Sequence, residues 1–327
     1  MGVQKNDFSD NMKGLVSVII PTYNRAHLLK EAIESVISQS YRPIECIVVD
    51  DGSVDDTELI ISHLQNSKDE DFELVYIKKL NEGVQIARNI GTQLSRGQFI
   101  QYLDSDDLLA ADKLRNQVLY LNNNINCDGI YGDWEFGDMQ NKEIILSYFS
   151  DDLISQFLVE RCIANFSFLM RKELVDKIGD WDVDINRNQE IDFHIRGILA
   201  GGRFRYLQGI TGLWRSHQSD RVSSAEESSH VIHFYQKMEH LLRGRLLFNS
   251  ELSHKIAFMY FWMIQKSIQK PFSKNKLYFK EIKRLYPGML FLNKKIFVII
   301  SKFAGFGMAC KCWVLINRRR FQNVNVF

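Results

Sequence analysis

Cysteine and proline are scarce in this chain of 327 residues, which contains five cysteines and four prolines. The cysteine count is odd, and the pair Cys310 and Cys312 is separated by a single residue. That spacing suits neither a zinc site nor a redox pair, so we expect no disulfide framework and no cysteine-bound metal. A reducing compartment follows as the expected environment.

An apolar leader is also missing, because the first 14 residues, MGVQKNDFSDNMKG, are polar. We therefore expect no signal peptide and a cytoplasmic location. The sequon at Asn165 then carries no glycan, since it never meets a secretory route. With 45% hydrophobic and 25% charged residues, the length suits one large domain with an appendage, or two ordinary domains.

Net charge is nearly absent at +1, but the charges are unevenly distributed along the chain. Residues 231–327 carry 18 Lys and Arg against 3 Asp and Glu, whereas residues 1–230 carry 23 against 37. This division indicates two functions in one chain, with the basic end facing something anionic. We place the boundary at residue 225, between a domain 1–225 and a region 226–327.

The first half alternates predicted strands with predicted helices, which is typical of an α/β protein with a mostly parallel sheet. The strand signals are short apolar runs, and the helix signals are apolar stripes with helical spacing. Predicted strands cover residues 15–20, 44–49, 72–77, 98–103 and 129–134, and predicted helices cover residues 25–40, 55–64, 83–95, 108–123 and 191–200.

Polar clusters follow three of the predicted strands, at residues 21–24, 50–53 and 104–106. Ligands of open α/β sheets bind at the carboxyl ends of the strands, where these clusters would meet. Of the three, Asp104-Ser105-Asp106 is the most informative, because two carboxylates at this spacing can share a hard divalent cation that neutralises a diphosphate. The alternative is an acidic turn in which Asp107 caps the following helix.

The chain resembles the family 2 glycosyltransferases over about residues 14–220. The segments that carry the resemblance, in the family's order and spacing, are 16–25 (VSVIIPTYNR), 48–53 (VVDDGS), 83–91 with its Ala-Arg-Asn, and 99–106 (FIQYLDSD). The resemblance implies the GT-A fold, a Rossmann-like, mostly parallel central sheet flanked by helices. It also implies inverting transfer of a sugar from a nucleoside diphosphate donor, with a UDP-sugar favoured, to a glycan or lipid-linked acceptor.

The resemblance assigns roles to individual residues. Tyr23 would lie near the base, Asp51 would accept a hydrogen bond from a uracil-type ring, and Arg88 would lie near the ribose and phosphates. The alternatives are purely structural: Asp51 closes a turn, and Arg88 forms a structural ion pair. The full implied nucleotide-binding set is Pro21, Thr22, Tyr23, Arg25, Asp51, Arg88, Asp104 and Ser105.

The same resemblance implies a metal site, with Mn²⁺ or Mg²⁺ as the cofactor. Asp106 would be the principal ligand, and Asp104 and His217 would complete the protein's share. An imidazole suits Mn²⁺ better than Mg²⁺. Alternatively, His217 is an ordinary hydrogen-bonded side chain.

The catalytic base is less clearly marked, because the family's Glu-Asp pair corresponds here to Gln189-Glu190. We expect Glu190 to take the proton of the acceptor hydroxyl, with Asp192 as the alternative. Both carboxylates could instead only complement the helix dipole. The departure at Gln189 also leaves two rival functions open. One is transfer to a polyprenyl phosphate, and the other is sugar-nucleotide binding without catalysis.

The basic region from residue 226 onward is predicted to be helical. Residues 296–316 are long enough to cross a bilayer, but Lys302 and Lys311 would make that costly. With three arginines at 318–320, contact with an anionic membrane surface at the inner face of the cell membrane is the favoured interpretation. A helical subdomain or a partner-protein surface is the alternative, and the basic tail could pair with a second copy of the chain. We expect no nucleic acid partner, because no binding motif accompanies the charge.

Overall fold

A computed structural model describes residues 12–65, 70–160, 163–216, 228–266 and 275–287. The chain divides into two compact units. The first unit is formed by Met1–Leu153, Ile163–Asp184 and Phe193–Ser219, and the second by Ile154–Cys162, Ile185–Asp192 and Asp220–Phe327. The predicted boundary at residue 225 lies outside the described residues and stays a prediction.

The strands of the described ranges all belong to one sheet in the first unit. They are β1 (Met12–Thr22), β2 (Ile44–Asp50), β3 (Phe72–Lys78), β4 (Gly97–Tyr102), β5 (Leu108–Leu109), β6 (Gly129–Gly137), β7 (Lys142–Ile145), β8 (Leu169–Arg171) and β9 (Phe204–Arg215). Their order across the sheet is β3-β2-β1-β4-β8-β6-β9-β5, with β7 paired to β6.

Helices follow most of the strands. They are α1 (Ala26–Ile37), α2 (Thr57–Leu64), α3 (Val84–Leu94), α4 (Lys113–Asn123), α5 (Leu153–Ser155), α6 (Lys172–Ile178), α7 (Gln189–Leu199), α8 (Ser228–Arg243), α9 (Ser250–Lys266) and α10 (Asn275–Leu285). A π-helical turn continues α5 over Gln156–Glu160, and a 3₁₀ turn covers Asn165–Ser167.

The half of the sheet formed by β3, β2, β1 and β4 is parallel, with α1, α2 and α3 as the crossovers. Thr22 pairs with Asp50, and Asp50 pairs with Lys78. The carboxyl ends of these strands are therefore level with one another. The remaining strands join in both directions, antiparallel between β4 and β8 and parallel between β6 and β9. The predicted α/β fold class is confirmed.

Both faces of β1 are buried, as its continuous apolar run requires. Val16, Val18 and Ile20 belong to the main hydrophobic cluster, which includes the apolar stripe of α1. The other face carries Ile19, against which α3 packs closely. A Cβ atom placed on Gly91 of α3 would lie 2.5 Å from Ile19 Cγ2, so only glycine permits this approach.

The predicted helix over residues 108–123 is wrong in its first turn. Leu108 and Leu109 form β5, which pairs antiparallel with β9, and the helix α4 begins only at Lys113. The N–H of Ala110 donates to the carbonyl of Thr211 at 3.0 Å. Because β9 satisfies this backbone, the helix cannot start at Leu108.

In the second unit, α8, α9 and α10 bury aromatic and aliphatic side chains, among them Phe234, Tyr260 and Ile282. Arg284 donates to both Glu239 and Glu281 and thereby links α10 to α8. Within the described ranges, no helix has the length and apolar character needed to cross a membrane. The segment 296–316 lies outside the described residues.

Candidate active site

The polar segments that follow β1 and β2 are bonded to each other at the carboxyl edge of the sheet. Asn24 has a left-handed backbone with φ 50°, and its N–H donates to Ser53 Oγ at 2.8 Å. The Val54 N–H donates to Asn24 Oδ1 at 2.9 Å, and the Asp51 N–H donates to the Thr22 carbonyl at 2.9 Å. These bonds fix the two segments relative to each other.

Asp51 is buried and accepts hydrogen bonds from one side chain and two backbone amides. Its carboxylate receives Lys79 Nζ at 2.5 Å, the Glu82 N–H at 2.9 Å and the Gly83 N–H at 2.8 Å. Burial lowers the pKa of the Lys79 amine, but its hydrogen bonds to Asp51 and Glu82 raise the pKa above its ordinary value. The Asp51 carboxylate, held in one orientation, can accept a further hydrogen bond from a ligand.

Two arginines hold the carboxylates of the acidic turn after β4. Arg88 Nη2 donates to Asp104 Oδ1 at 2.7 Å, and Arg25 Nη1 donates to Asp106 Oδ2 at 2.7 Å. The Arg88 guanidinium lies 4.4 Å from the centroid of the Trp181 ring, within the range of a cation–π contact. Asp104 is the more accessible carboxylate, with 32% of its side chain exposed against 12% for Asp106.

Arg215, at the end of β9, attaches the acidic turn to α1. Its Nε donates to the Asp106 carbonyl at 2.5 Å, and its backbone N–H donates to Asp107 Oδ1 at 3.2 Å. Its guanidinium also bonds to the Glu31 carboxylate and to the Leu28 carbonyl. Burial lowers the pKa of Arg215, although the acidic neighbours oppose the shift. The turn that carries Asp106 is therefore bonded both to Arg25 and to Arg215.

The donor atoms at this turn fit a hard divalent cation. Asp104 and Asp106 offer carboxylate oxygens, the ligands that Mg²⁺ and Mn²⁺ prefer. No group of three or more His, Cys, Asp or Glu that could hold a metal occurs within the described ranges. A cation here would complete its shell with water and with the phosphates of a bound nucleotide, which is how Mg²⁺ is usually held.

The two candidate bases lie in the first turn of α7. Glu190 is half-buried, whereas Asp192 has only 1% of its surface exposed. The backbone N–H of Asp192 donates to the carbonyl of Asn188, a residue with φ 58° immediately before the helix. Both carboxylates belong by position to the second unit.

Among the predicted residues of the first unit, the structure bonds Arg88 to Asp104 and Arg25 to Asp106, and it adds two residues that the sequence analysis missed. Thr22 and Ser105 are buried, Pro21 lies in β1, and Tyr23 is exposed to 47%. His217 lies outside the described residues. The missed residues are Lys79, which binds Asp51, and Arg215, which stands two positions before His217 in the sequence. Only the pairing of β9 explains why Arg215 reaches the acidic turn.

Known proteins are similar to this chain in sequence and in fold. The family model described as glycosyl transferase family 2 matches residues 17–179. An uncharacterized glycosyltransferase of Rickettsia typhi is 29% identical and covers 86% of each chain. Among solved structures, residues 1–349 of Staphylococcus aureus TarS in complex with UDP-GlcNAc align with a TM-score of 0.67 at 17% identity, covering 94% of this chain and 92% of TarS. The mannosyltransferase PcManGT from Pyrobaculum calidifontis, in complex with GDP-Man and Mn²⁺, aligns with a TM-score of 0.50 at 14% identity, covering 94% of this chain and 88% of PcManGT.

The parallel half-sheet with an acidic turn at its carboxyl edge defines a GT-A fold. The family model, the curated relative and the fold agree, and the chain belongs to glycosyltransferase family 2. It is an enzyme that transfers a sugar.

Proposed function

We propose that the chain transfers a sugar from a nucleoside diphosphate donor, with a UDP-sugar as the first candidate, to a glycan or lipid-linked acceptor. The observation that carries this proposal is that Asp51, Asp104 and Asp106 follow strands at the same edge of the sheet. Their carboxylates are bonded to the Gly83 N–H, to Arg88 and to Arg25, respectively. The TarS structure holds a UDP-sugar and the PcManGT structure holds a GDP-sugar, so donors differ within this fold.

Asp51 is proposed to recognise the base. A uracil ring presents an N–H donor, which a carboxylate already oriented by Lys79 and two backbone amides can accept. The exposed ring of Tyr23 lies one residue beyond β1, where it can cover the base. Arg88 and Arg25, both held by the acidic turn, supply positive charge for the phosphates.

Asp104 and Asp106 are proposed to hold Mn²⁺ or Mg²⁺, with His217 as a further ligand. A divalent cation bound there supplies the positive charge that supports a departing diphosphate. The two arginines and the backbone attachment by Arg215 keep the carboxylates in place for that role. Preorganised charge of this kind needs no rearrangement during the reaction.

Glu190 is proposed as the base that accepts the proton of the acceptor hydroxyl. The acceptor oxygen would bond to the anomeric carbon from the face opposite the nucleoside diphosphate, whose bond to that carbon breaks, so the anomeric centre would be inverted. It is the more accessible of the two candidates, because Asp192 is almost entirely buried. A base must come within hydrogen-bond reach of the hydroxyl, so accessibility favours Glu190. If Glu190→Gln kept full turnover while Asp192→Asn abolished it, the assignment would pass to Asp192.

The basic region 226–327 is proposed to bring the enzyme to an anionic membrane surface, where a lipid-linked acceptor would reside. The support is the excess of 18 Lys and Arg over 3 Asp and Glu within residues 231–327. Clusters of this kind bind anionic lipid through electrostatic attraction.

A donor panel tests the proposal. Binding and hydrolysis of UDP-, GDP-, dTDP- and CMP-sugars would be measured by calorimetry and product release, with Mn²⁺, Mg²⁺ or EDTA. We expect one nucleotide sugar to bind and to be hydrolysed only when a divalent ion is present. Binding that is unaffected by EDTA would contradict the metal role, and binding of no nucleotide sugar by folded protein would overturn the donor proposal.

A further inference from the structure

The segment that follows α6 is attached to α3 through the backbone of Trp181. Helix α6 ends at Gly179, where the backbone has a positive φ of 78° that suits glycine. Two residues later, the Trp181 N–H donates to Asn89 Oδ1 at 2.7 Å, and Asn89 Nδ2 donates to the Trp181 carbonyl at 3.1 Å. One side-chain amide on α3 therefore bonds both backbone polar groups of Trp181.

The Trp181 side chain is buried among aromatic rings of the first unit, with 2% of the residue exposed. Its ring stacks on Phe193, with centroids 4.3 Å apart and planes 9° apart. It also makes a T-shaped contact with Tyr102 at 4.9 Å. Tyr102 is the last residue of β4, and Asp104 follows two positions later. Close packing against two rings leaves the indole little freedom to change rotamer.

Arg88 lies against this indole while it holds the acidic turn. Its guanidinium carbon is 4.4 Å from the centroid of the Trp181 ring, and its Nη2 donates to Asp104 Oδ1 at 2.7 Å. Only 3% of the Arg88 side chain is exposed. A buried guanidinium needs compensation for the water it has lost, and the electron-rich face of an indole supplies part of it without using an N–H donor. The ring can therefore orient Arg88 without competing with Asp104 for its N–H groups.

We propose that Trp181 is a positioning residue of the donor site, which orients the Arg88 guanidinium on Asp104. The inference rests on the proposed function, in which Asp104 helps to hold a divalent cation and Arg88 supplies charge for the phosphates. With 2% of its surface exposed, Trp181 acts through Arg88 and not by contact with the ligand. An arginine side chain has many rotamers, so without the ring Arg88 would spend less time in the orientation that holds Asp104.

A graded series at position 181 tests the proposal. Trp181→Phe keeps a smaller ring, and Trp181→Leu keeps an apolar side chain without a ring. The attraction of a cation is strongest for tryptophan, weaker for phenylalanine and absent for leucine. Calorimetry would measure the dissociation constant of UDP, or of the nucleoside diphosphate whose sugar the donor panel selects, with Mn²⁺ present. We expect that constant to rise about threefold in Trp181→Phe and about tenfold in Trp181→Leu.

A double-mutant cycle with Arg88→Met shows whether Trp181 acts through Arg88. The Arg88→Met variant lacks the guanidinium, so the ring has nothing left to orient. When Trp181→Leu is added to Arg88→Met, we expect the dissociation constant of the diphosphate to stay within about twofold of that of Arg88→Met alone. A loss of packing alone would weaken binding by the same factor in both backgrounds. If Trp181→Leu does not fold, the same cycle is measured with Trp181→Phe.

Phe72→Leu is the matched control, because it removes a contact of the same kind at the opposite edge of the sheet. The Arg42 guanidinium carbon lies 5.6 Å from the centroid of the buried Phe72 ring. Phe72 begins β3 and pairs with Ile44, the first residue of β2, so both lie at the amino ends of the strands. We expect Phe72→Leu to lower the melting temperature and to leave the affinity for the diphosphate unchanged.

A lowered melting temperature in Trp181→Leu with wild-type affinity for the diphosphate would overturn the proposal and leave Trp181 as a core residue only. An equal loss of affinity with and without Arg88 would also overturn it, because the effect would then bypass Arg88. Both results require that the wild type binds the diphosphate, and they leave the donor proposal standing. A folded wild type that bound no nucleoside diphosphate would instead overturn the proposed function and this inference together.

Discussion

At the scale of single residues, Asp106 combines a structural and a chemical role. Its carboxylate binds Arg25, its carbonyl binds Arg215, and it is the principal proposed metal ligand. We predict that Asp106→Asn folds but loses turnover. Losing a ligand that supports the leaving diphosphate costs several kcal/mol, so kcat/KM should fall by roughly 100- to 1,000-fold. Steady-state rates over a range of Mn²⁺ concentrations would measure the loss.

Asp112→Asn is the matched control for this variant. It removes the same charge from an exposed side chain, whose carboxylate accepts a hydrogen bond from Ser40. Its rate should equal that of the wild type. A third variant, Arg25→Gln, removes the ion pair between Arg25 and Asp106 but keeps the carboxylate, and its rate shows the effect of that ion pair alone. If Asp106→Asn kept wild-type rates and wild-type metal dependence, Asp106 would have no part in holding the ion.

Variants at Asp51 and at its partner Lys79 can separate the effect on nucleotide binding from the effect on stability. We predict that Asp51→Asn lowers nucleotide affinity and also the free energy of unfolding, by about 1–3 kcal/mol, because an amide cannot accept from all three donors. Lys79→Met should also destabilise the fold but leave nucleotide affinity within about twofold, since the carboxylate keeps its two backbone donors. Calorimetry and urea unfolding of both variants would test this.

An equal loss of nucleotide affinity in Asp51→Asn and Lys79→Met would contradict that separation. It would mean that Asp51 acts by shaping the segment before α3 and not by meeting the base.

At the scale of elements, three buried side chains join β4 and α4 to residues 166–168. Gln101, Gln117 and Lys113 donate to the carbonyls of Phe166, Ser167 and Phe168. Burial lowers the pKa of the Lys113 amine well below its ordinary value. Between that lowered pKa and about 10.4 in the unfolded chain, the unfolded chain binds a proton that the folded chain lacks. The unfolding free energy therefore rises with pH in this window because of Lys113.

We predict that the stability of the wild type relative to Lys113→Met increases as pH rises from neutral toward 10. The increase is at most about 1.4 kcal/mol for each pH unit within the window. Urea unfolding at several pH values would measure it, with the exposed Lys30→Met as the control variant. A difference that stayed constant with pH would show that Lys113 keeps its ordinary pKa in the folded chain.

Elements with strong local signals could be predicted, and elements defined by distant pairing could not. The predicted strands at 44–49 and 72–77 fall within β2 and β3, because each is a compact run between turn residues. β9 has no such run in FRYLQGITGLWR, and its partner β6 lies about 75 residues earlier. The helix predicted to start at Leu108 was wrong for the same reason.

The residues of the candidate site also fall into those that local sequence predicts and those that distant strand pairing positions. Asp51, Asp104 and Asp106 follow strands directly, so their local sequence predicts their place at the carboxyl edge. Arg215 reaches that edge only through the pairing of β9 with β5, which sets Leu213 opposite Leu108. Local sequence gives no measure of such register.

At the scale of the whole molecule, the uneven charge leads to a prediction about membranes. Residues 1–230 carry an excess of acidic groups, and residues 231–327 carry an excess of basic groups. We predict that the full chain binds vesicles containing anionic lipid and that the bound fraction falls as salt is raised. Sedimentation with vesicles of 30% phosphatidylserine, against phosphatidylcholine alone, would measure it.

The three arginines 318–320 make the prediction specific to the C-terminal region. Each basic group near an anionic surface contributes about 1 kcal/mol, so replacing all three by glutamine should weaken partitioning by roughly 100-fold. The matched control neutralises three exposed basic residues of the first unit, Lys30, Lys78 and Arg115, and changes the net charge equally. If both triple variants lost binding to the same extent, the attraction would come from net charge alone, and the C-terminal region would have no special membrane role.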